Sequence, residues 1–165
     1  MNIKIIESFI REIELFRGLT DEEFEVLAHK VVEKSYPAGG LLFHENGRRE
    51  DIFVIKAGRV ELFKTNAYGV ETRLAYFGTG DFLGEGSWAS DSPHSTSSRA
   101  LEATTVFSIN RDYFTNNASA ALKIFSNIAR VISRRMRNAN IRMISSAAQY
   151  ESGRMRKEHG EPRIH

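Results

Sequence analysis

From Ile3 to about Glu14 the apolar residues Ile5, Ile6, Phe9, Ile10 and Ile13 recur at steps of three and four, which predicts an amphipathic helix with one face to bury. A second short helix is predicted to start after Thr20. Glu23 stands three positions on and completes a capping box, and Leu19 precedes the cap where a hydrophobic staple would sit. From Val31 the helical spacing gives way to short β-prone runs: Val31 to Tyr36, Leu41 to His44, Ile52 to Ile55, Val60 to Lys64, Glu71 to Phe77 and Thr105 to Ile109. Glycine-bearing turns separate them, at Pro37–Gly40, Glu45–Gly47, Ala57–Gly58, Asn66–Gly69 and Gly78–Gly80. Many short strands at this spacing predict an antiparallel sandwich or barrel.

Helical spacing returns from about Ser119 to Tyr150, a stretch without Gly or Pro. Phe125, Ile128, Ile132, Met136, Ala139 and Met143 form an apolar stripe along it. The stripe fits a helix that covers one mouth of the β-zone, and it fits a dimer seam; along different turns of a long helix both hold. After Tyr150 the apolar period ends, and the tail is expected to be flexible unless a partner orders it. The expected boundaries are an N-terminal helical segment at 1–30, a β-zone at 31–112, a hinge and C-terminal helix at 113–150 and a tail at 151–165.

Composition narrows the chemistry. A chain of 165 residues with 41% hydrophobic and 27% charged positions has the profile of one globular domain. Cysteine is absent, which excludes disulfides, thiolate metal sites and a cysteine nucleophile, and suits a reducing compartment. The N-terminal segment carries charges every few residues and lacks a long apolar core, so neither a signal peptide nor a membrane span is expected, and a cytoplasmic location is. The net charge of +2 is too small to imply a nucleic-acid partner by itself, but it is unevenly spread. Arg130, Arg134, Arg135, Arg137 and Arg142 crowd the long helix, reading as a solvated face or as a surface for non-specific phosphate contact. No Ser-His-Asp order, zinc-ligand spacing, P-loop or dinucleotide fingerprint is present, and the histidines at 29, 44, 94, 159 and 165 stand singly, so no enzyme is expected here.

The candidate chemistry lies between Gly78 and Ala103. In Gly80-Asp-Phe-Leu-Gly84-Glu85-Gly86-Ser87-Trp88, glycines flank an acid directly after a strand. A turn there exposes backbone N–H groups, with the Ser87 hydroxyl beside them, and such groups hold anions. Glu85 suits a neutral hydroxyl such as that of a ribose, while the polar run Pro93-His94-Ser95-Thr96-Ser97-Ser98 suits a phosphate. The same residues also fit an ordinary solvated turn followed by an exposed polar strand.

The order of features closely resembles the cyclic nucleotide-binding domain of the catabolite-activator (Crp/Fnr-type) superfamily: helices, strands, Ile55-Lys-Ala-Gly58-Arg-Val60, then Gly80-Asp-Phe-Leu-Gly84-Glu85 and Pro93-His94-Ser95, then Tyr113-Phe114 leading into a long helix. The resemblance runs from about Leu15 to Asn140. It implies a mainly β fold, an antiparallel β-roll (jelly-roll-like, a double-stranded β-helix) with N-terminal helices and a long C-terminal helix. It also implies a ligand of the cAMP or cGMP type and no other cofactor. Carried over residue by residue, Glu85 takes the ribose hydroxyl, Gly84, Gly86 and Ser87 line the phosphate loop, and Ser95, with Thr96 beside it, contacts the phosphate. His94 stands where the family has an Arg. Asn138 and Asn140 occupy the stretch that contacts the base from the long helix; of these Asn140 is the candidate, and solvated or interhelical hydrogen bonds are the plainer reading of each.

An Arg offers a permanent planar fork of donors, whereas a His is neutral over much of the physiological range. His94 therefore admits three readings: a pH-dependent phosphate donor, a pocket for another nucleotide or anion, or a roll that has lost its ligand and serves as a protein-interaction or dimerisation module. Arg99 is discounted as a substitute cation because strand alternation turns it to the other face. The resemblance further implies a homodimer through the C-terminal helix and an effector protein of unknown identity. About 15 residues follow Tyr150, too few for a helix-turn-helix, so sequence-specific DNA binding is not expected. Finally, Arg156-Lys-Glu-His159 resembles the opening residues of the aspartase and fumarase superfamily, which would make this the regulatory part of such an enzyme.

Overall fold

The computed structural model describes residues 3–47, 51–86, 92–110, 113 and 116–159. Helix α1 (Ile3–Arg11) and a 3-10 turn (Glu14–Phe16) lead to α2 (Asp21–Lys30). The strands are β1 (Val31–Tyr36), β2 (Leu41–Phe43), β3 (Asp51–Ala57), β4 (Arg59–Thr65), β5 (Glu71–Gly78), β6 (Phe82–Leu83), β7 (Ser97–Ala100) and β8 (Thr104–Asn110), and α3 (Ala118–His159) follows. The strands form two four-stranded antiparallel sheets, in the orders β1-β8-β3-β6 and β2-β7-β4-β5. This is the expected β-roll.

The first helix ends earlier than its spacing predicts. Ile13 is extended (φ −82°, ψ 125°) because Ile13, Leu15 and Phe16 are all buried, and residues so close in sequence cannot share one helical face. The capping box forms as predicted: Thr20 Oγ1 accepts from Glu23 N (3.2 Å) and Glu23 Oε2 from Thr20 N (2.8 Å). The same carboxylate accepts from Lys123 Nζ (2.7 Å) on α3, so one side chain caps α2 and anchors the first turns of α3. Tyr113 donates to the Glu23 carbonyl (3.0 Å), and burial beside Glu23 pushes its hydroxyl up to about 12. Asn127 donates to the Leu15 and Arg17 carbonyls (3.0 and 2.9 Å) where the 3-10 turn would leave them unpaired.

Strand β3 is buried from Ile52 to Ile55 without alternation, which identifies a strand covered on both faces. Phe53 and Ile55 face the other sheet, in a core with Leu42, Val60, Phe77, Leu83, Ala100 and Val106. The first sheet is covered on its outer face by α1, where Phe9 meets Phe107 edge-on at 5.5 Å. Each such buried apolar side chain contributes roughly 1.5–3 kcal/mol before chain entropy is set against it. The β3–β4 turn needs Gly58, at φ +98°, because a Cβ there would lie 2.8 Å from the Ala103 carbonyl.

Two compact units result, Met1–Ile128 and Ala129–His165. The second is the continuation of α3, with Met136, Ile141, Met143 and Ile144 exposed. Its helix runs nine residues past the boundary expected at Tyr150, to His159. Apolar periodicity stops there, but Glu, Met, Arg and Lys are good helix formers and no proline intervenes, so propensity continues what the pattern does not. Residues 160–165 of the expected tail lie outside the described residues. Among the described residues, no helix is long and apolar enough to cross a membrane.

Candidate functional site

Strand β6 is two residues long, pairing Leu83 with Phe53 and Phe82 with Val54. The chain then turns hard against β3 at Gly84. There φ is +90°, and a Cβ would stand 2.8 Å from the Asp51 carbonyl. Only glycine fits, and its close approach sets the direction in which Glu85 leaves the strand. Asp51 is itself held in place by Lys34 Nζ (2.8 Å), by the Ser108 hydroxyl and by Asn110 Nδ2 (3.0 Å). Burial raises its carboxyl, but these donors outweigh burial and hold it below the usual carboxylate range.

The opposite wall is the entry to β7. Asn46 N donates to the His94 carbonyl (2.8 Å) and His94 N to the Gly47 carbonyl (3.4 Å), so the backbone of His94 is pinned to the β2–β3 turn. Its ring is buried, at 5% exposure, and stacks on Phe43 with centroids 4.0 Å apart and planes 11° from parallel. Between the two walls lies a cavity of about 140 Å³ lined, among the described residues, by Phe43, Leu62, Phe77, Leu83, Gly84, Glu85, Gly86, His94, Ser95 and Thr96. The floor is apolar; the rim carries a carboxylate, an imidazole and two hydroxyls. The described lining contains no Lys or Arg, and the sequence has none from Gly80 through Ser98.

Six of the eight candidate residues are therefore brought together: Gly84, Glu85, Gly86, His94, Ser95 and Thr96. Ser87 lies outside the described residues. Asn140 is exposed on the helix of the second unit and is not among the lining residues. The sequence reading missed the apolar floor of Phe43, Leu62, Phe77 and Leu83, although the inward alternation of β4 and β5 carries a signal for Leu62 and Phe77. Two larger hollows, of about 370 Å³ beside Lys30 and Tyr113 and about 330 Å³ beside Arg11 and Phe24, gather none of the candidates.

Arg99 is placed where alternation puts it, on the outer face of the second sheet. It donates to Glu61 (2.6 and 2.9 Å) and to Glu71 (2.9 Å), and its guanidinium lies 4.4 Å from the centroid of Phe63. Arg73 donates to the other oxygen of Glu61 (2.7 Å). Glu61 is 2% exposed, and Arg73, opposed by burial and joined by Arg99, keeps its carboxyl below the usual range.

The family model of the cyclic nucleotide-binding domain matches residues 33–119, more than half of the chain. The cyclic AMP receptor protein of Thermus thermophilus is 28% identical over 129 residues, covering 78% of this chain and 60% of that protein. A cAMP-dependent protein kinase regulatory subunit of Pyricularia oryzae is 28% identical over 94 residues, covering 57% of this chain and 23% of that subunit. The crystal structure of the Thermus thermophilus catabolite activator protein superposes with a TM-score of 0.68 at 27% identity, over 81% of this chain and 63% of that one. The chain thus spans less than two thirds of the length of each of these relatives.

Proposed function

This chain belongs to the cyclic nucleotide-binding domain family, and from that premise we propose that it is a cytoplasmic sensor module in which a cAMP- or cGMP-type ligand occupies the Glu85–His94 cavity. The observation that carries the reading is the meeting, in one cavity, of a glycine-flanked carboxylate and a polar strand entry that are separate in sequence. Glu85 accepts from the ribose hydroxyl. Backbone N–H groups of the Gly84–Gly86 turn and the Ser95 and Thr96 hydroxyls hold the cyclic phosphate. His94 supplies the positive charge, and only when protonated.

Binding on this reading takes up a proton at His94. Affinity rises as pH falls through the ordinary histidine range near about 6.5, a gain of about tenfold or more between pH 8 and pH 6. Calorimetric titration with cAMP, cGMP and cyclic dinucleotides at the two pH values tests it. Stronger binding at pH 6 supports the reading. No heat with any of these ligands at either pH favours instead a roll kept as an interaction and dimerisation module.

Ligand in the roll acts by repositioning α3, and α3 acts on a second copy or on an effector protein. The apolar stripe at Ile132 and Met136 is the seam of a homodimer. Replacing both with Glu gives a monomer by sedimentation; an unchanged dimer places the seam elsewhere.

A further inference from the structure

Phe43 does more than floor the cavity: the geometry points to it as the positioning residue that keeps His94 titrating in the physiological range, and so sets the pH at which the site accepts an anion. Its functional meaning rests on His94 being the phosphate donor; the effect on His94 itself does not.

The near-parallel contact, with centroids 4.0 Å apart, sets the imidazole over the face of the Phe43 ring. An imidazolium over an aromatic face is attracted by the ring quadrupole, so this contact improves when His94 takes up a proton. Burial acts the other way, disfavouring the charged form. On this proposal the Phe43 face offsets part of the cost of charging a ring that is 5% exposed.

Phe43 is in turn held from behind. Phe53 stacks on it at 6.0 Å and 25°, and Lys34 Nζ lies 5.5 Å from the Phe53 centroid, fixed there by Asp51. The stack Lys34–Phe53–Phe43–His94 thus runs from the first sheet to the cavity wall.

Among the described residues, the charged groups near His94 come from the cavity and from the β2–β3 turn. Glu85 lines the same cavity, and a carboxylate there favours the protonated form. In the β2–β3 turn Glu45 is paired with Lys64 at 3.2 Å, and His44 Nδ1 is bonded to the Glu45 carbonyl. From β4, Leu62 lines the cavity and Lys64 is the cation that reaches Glu45. Arg48, Arg49, Glu50 and Asp91 lie outside the described residues.

The test reads the His94 titration midpoint directly, by NMR of histidine-labelled, ligand-free full chain, with His94→Gln to assign the signal. Phe43→Leu lowers the midpoint by about one pH unit. Phe43→Trp raises it, since Trp is the stronger cation–π partner. Phe53→Leu, which removes only the support, lowers it by less. A midpoint unmoved in either Phe43 variant overturns the proposal, and the Trp variant decides if the Leu variant does not fold. Because no ligand is present, failure here leaves the nucleotide-binding reading standing. Equally, absence of nucleotide heat leaves a shifted midpoint standing.

Discussion

Glu61 and Glu85 are two carboxylates served by neighbouring positions of one strand. On β4 the side chain of Glu61 points outward, where Arg73 and Arg99 reach it, while Leu62 points inward to the floor of the cavity that Glu85 lines. The outer carboxylate has two arginines on it. The inner one shares its cavity with a histidine, two hydroxyls and glycine backbone, and with no Lys or Arg among the described lining residues. An acid matched by fixed cations within the sheet contributes to holding strands together; on the reading proposed above, the acid that shares its cavity with a titratable ring and two hydroxyls accepts from a ligand. Both are Glu in a β-domain, and their surroundings differ.

Loss of the Glu85 carboxylate is expected to have the largest effect on binding. Glu85→Ala is expected to weaken cyclic nucleotide binding by about tenfold to a hundredfold, the loss of a charged hydrogen-bond acceptor, with the melting temperature little changed. Parallel calorimetry and thermal melts check it. A variant of unaltered affinity removes Glu85 from the site.

Glu61→Gln should do the reverse, costing about 1–2 kcal/mol of stability while ligand affinity holds; the half-exposed Arg73 sets the low end. Its pH dependence sharpens the contrast. The folded Glu61 carboxyl lies below the usual range, held there first by Arg73 and then by Arg99 against burial. Its contribution is therefore fully present above the unfolded carboxylate pKa of about 4.3, and is lost as pH falls through the lower folded value. Denaturant midpoints of wild type and Glu61→Gln should differ near pH 7 and converge below about pH 4. A constant gap across that range would assign the cost to packing instead.

The division between what the sequence revealed and what it concealed follows the same line. The capping box at Thr20 and Glu23 is a local code read over four residues, and it forms as written. Strands with an alternating or continuous apolar run were legible to within a residue or two, Val31–Tyr36 without error. Strand β6 was not, because two residues cannot show a period, and the role of Ser97–Ala100 in joining β2 to β4 was hidden by its polar sequence. Motif order brought together Gly84 to Gly86 with His94 to Thr96. It did not disclose the stacking of His94 on Phe43 or the burial of Glu61, whose Arg99 partner is 38 positions away, since both depend on register between strands distant in sequence.

His94→Arg tests the central claim most directly, by measuring cyclic nucleotide affinity at pH 8 and pH 6 in both proteins. With His94 as a proton-dependent phosphate donor, a permanent guanidinium tightens binding at pH 8 by about tenfold or more and flattens the difference between the two pH values. An affinity that the substitution leaves unchanged at pH 8, or a pH dependence that survives it, would contradict the assignment of His94 as the group that meets the phosphate.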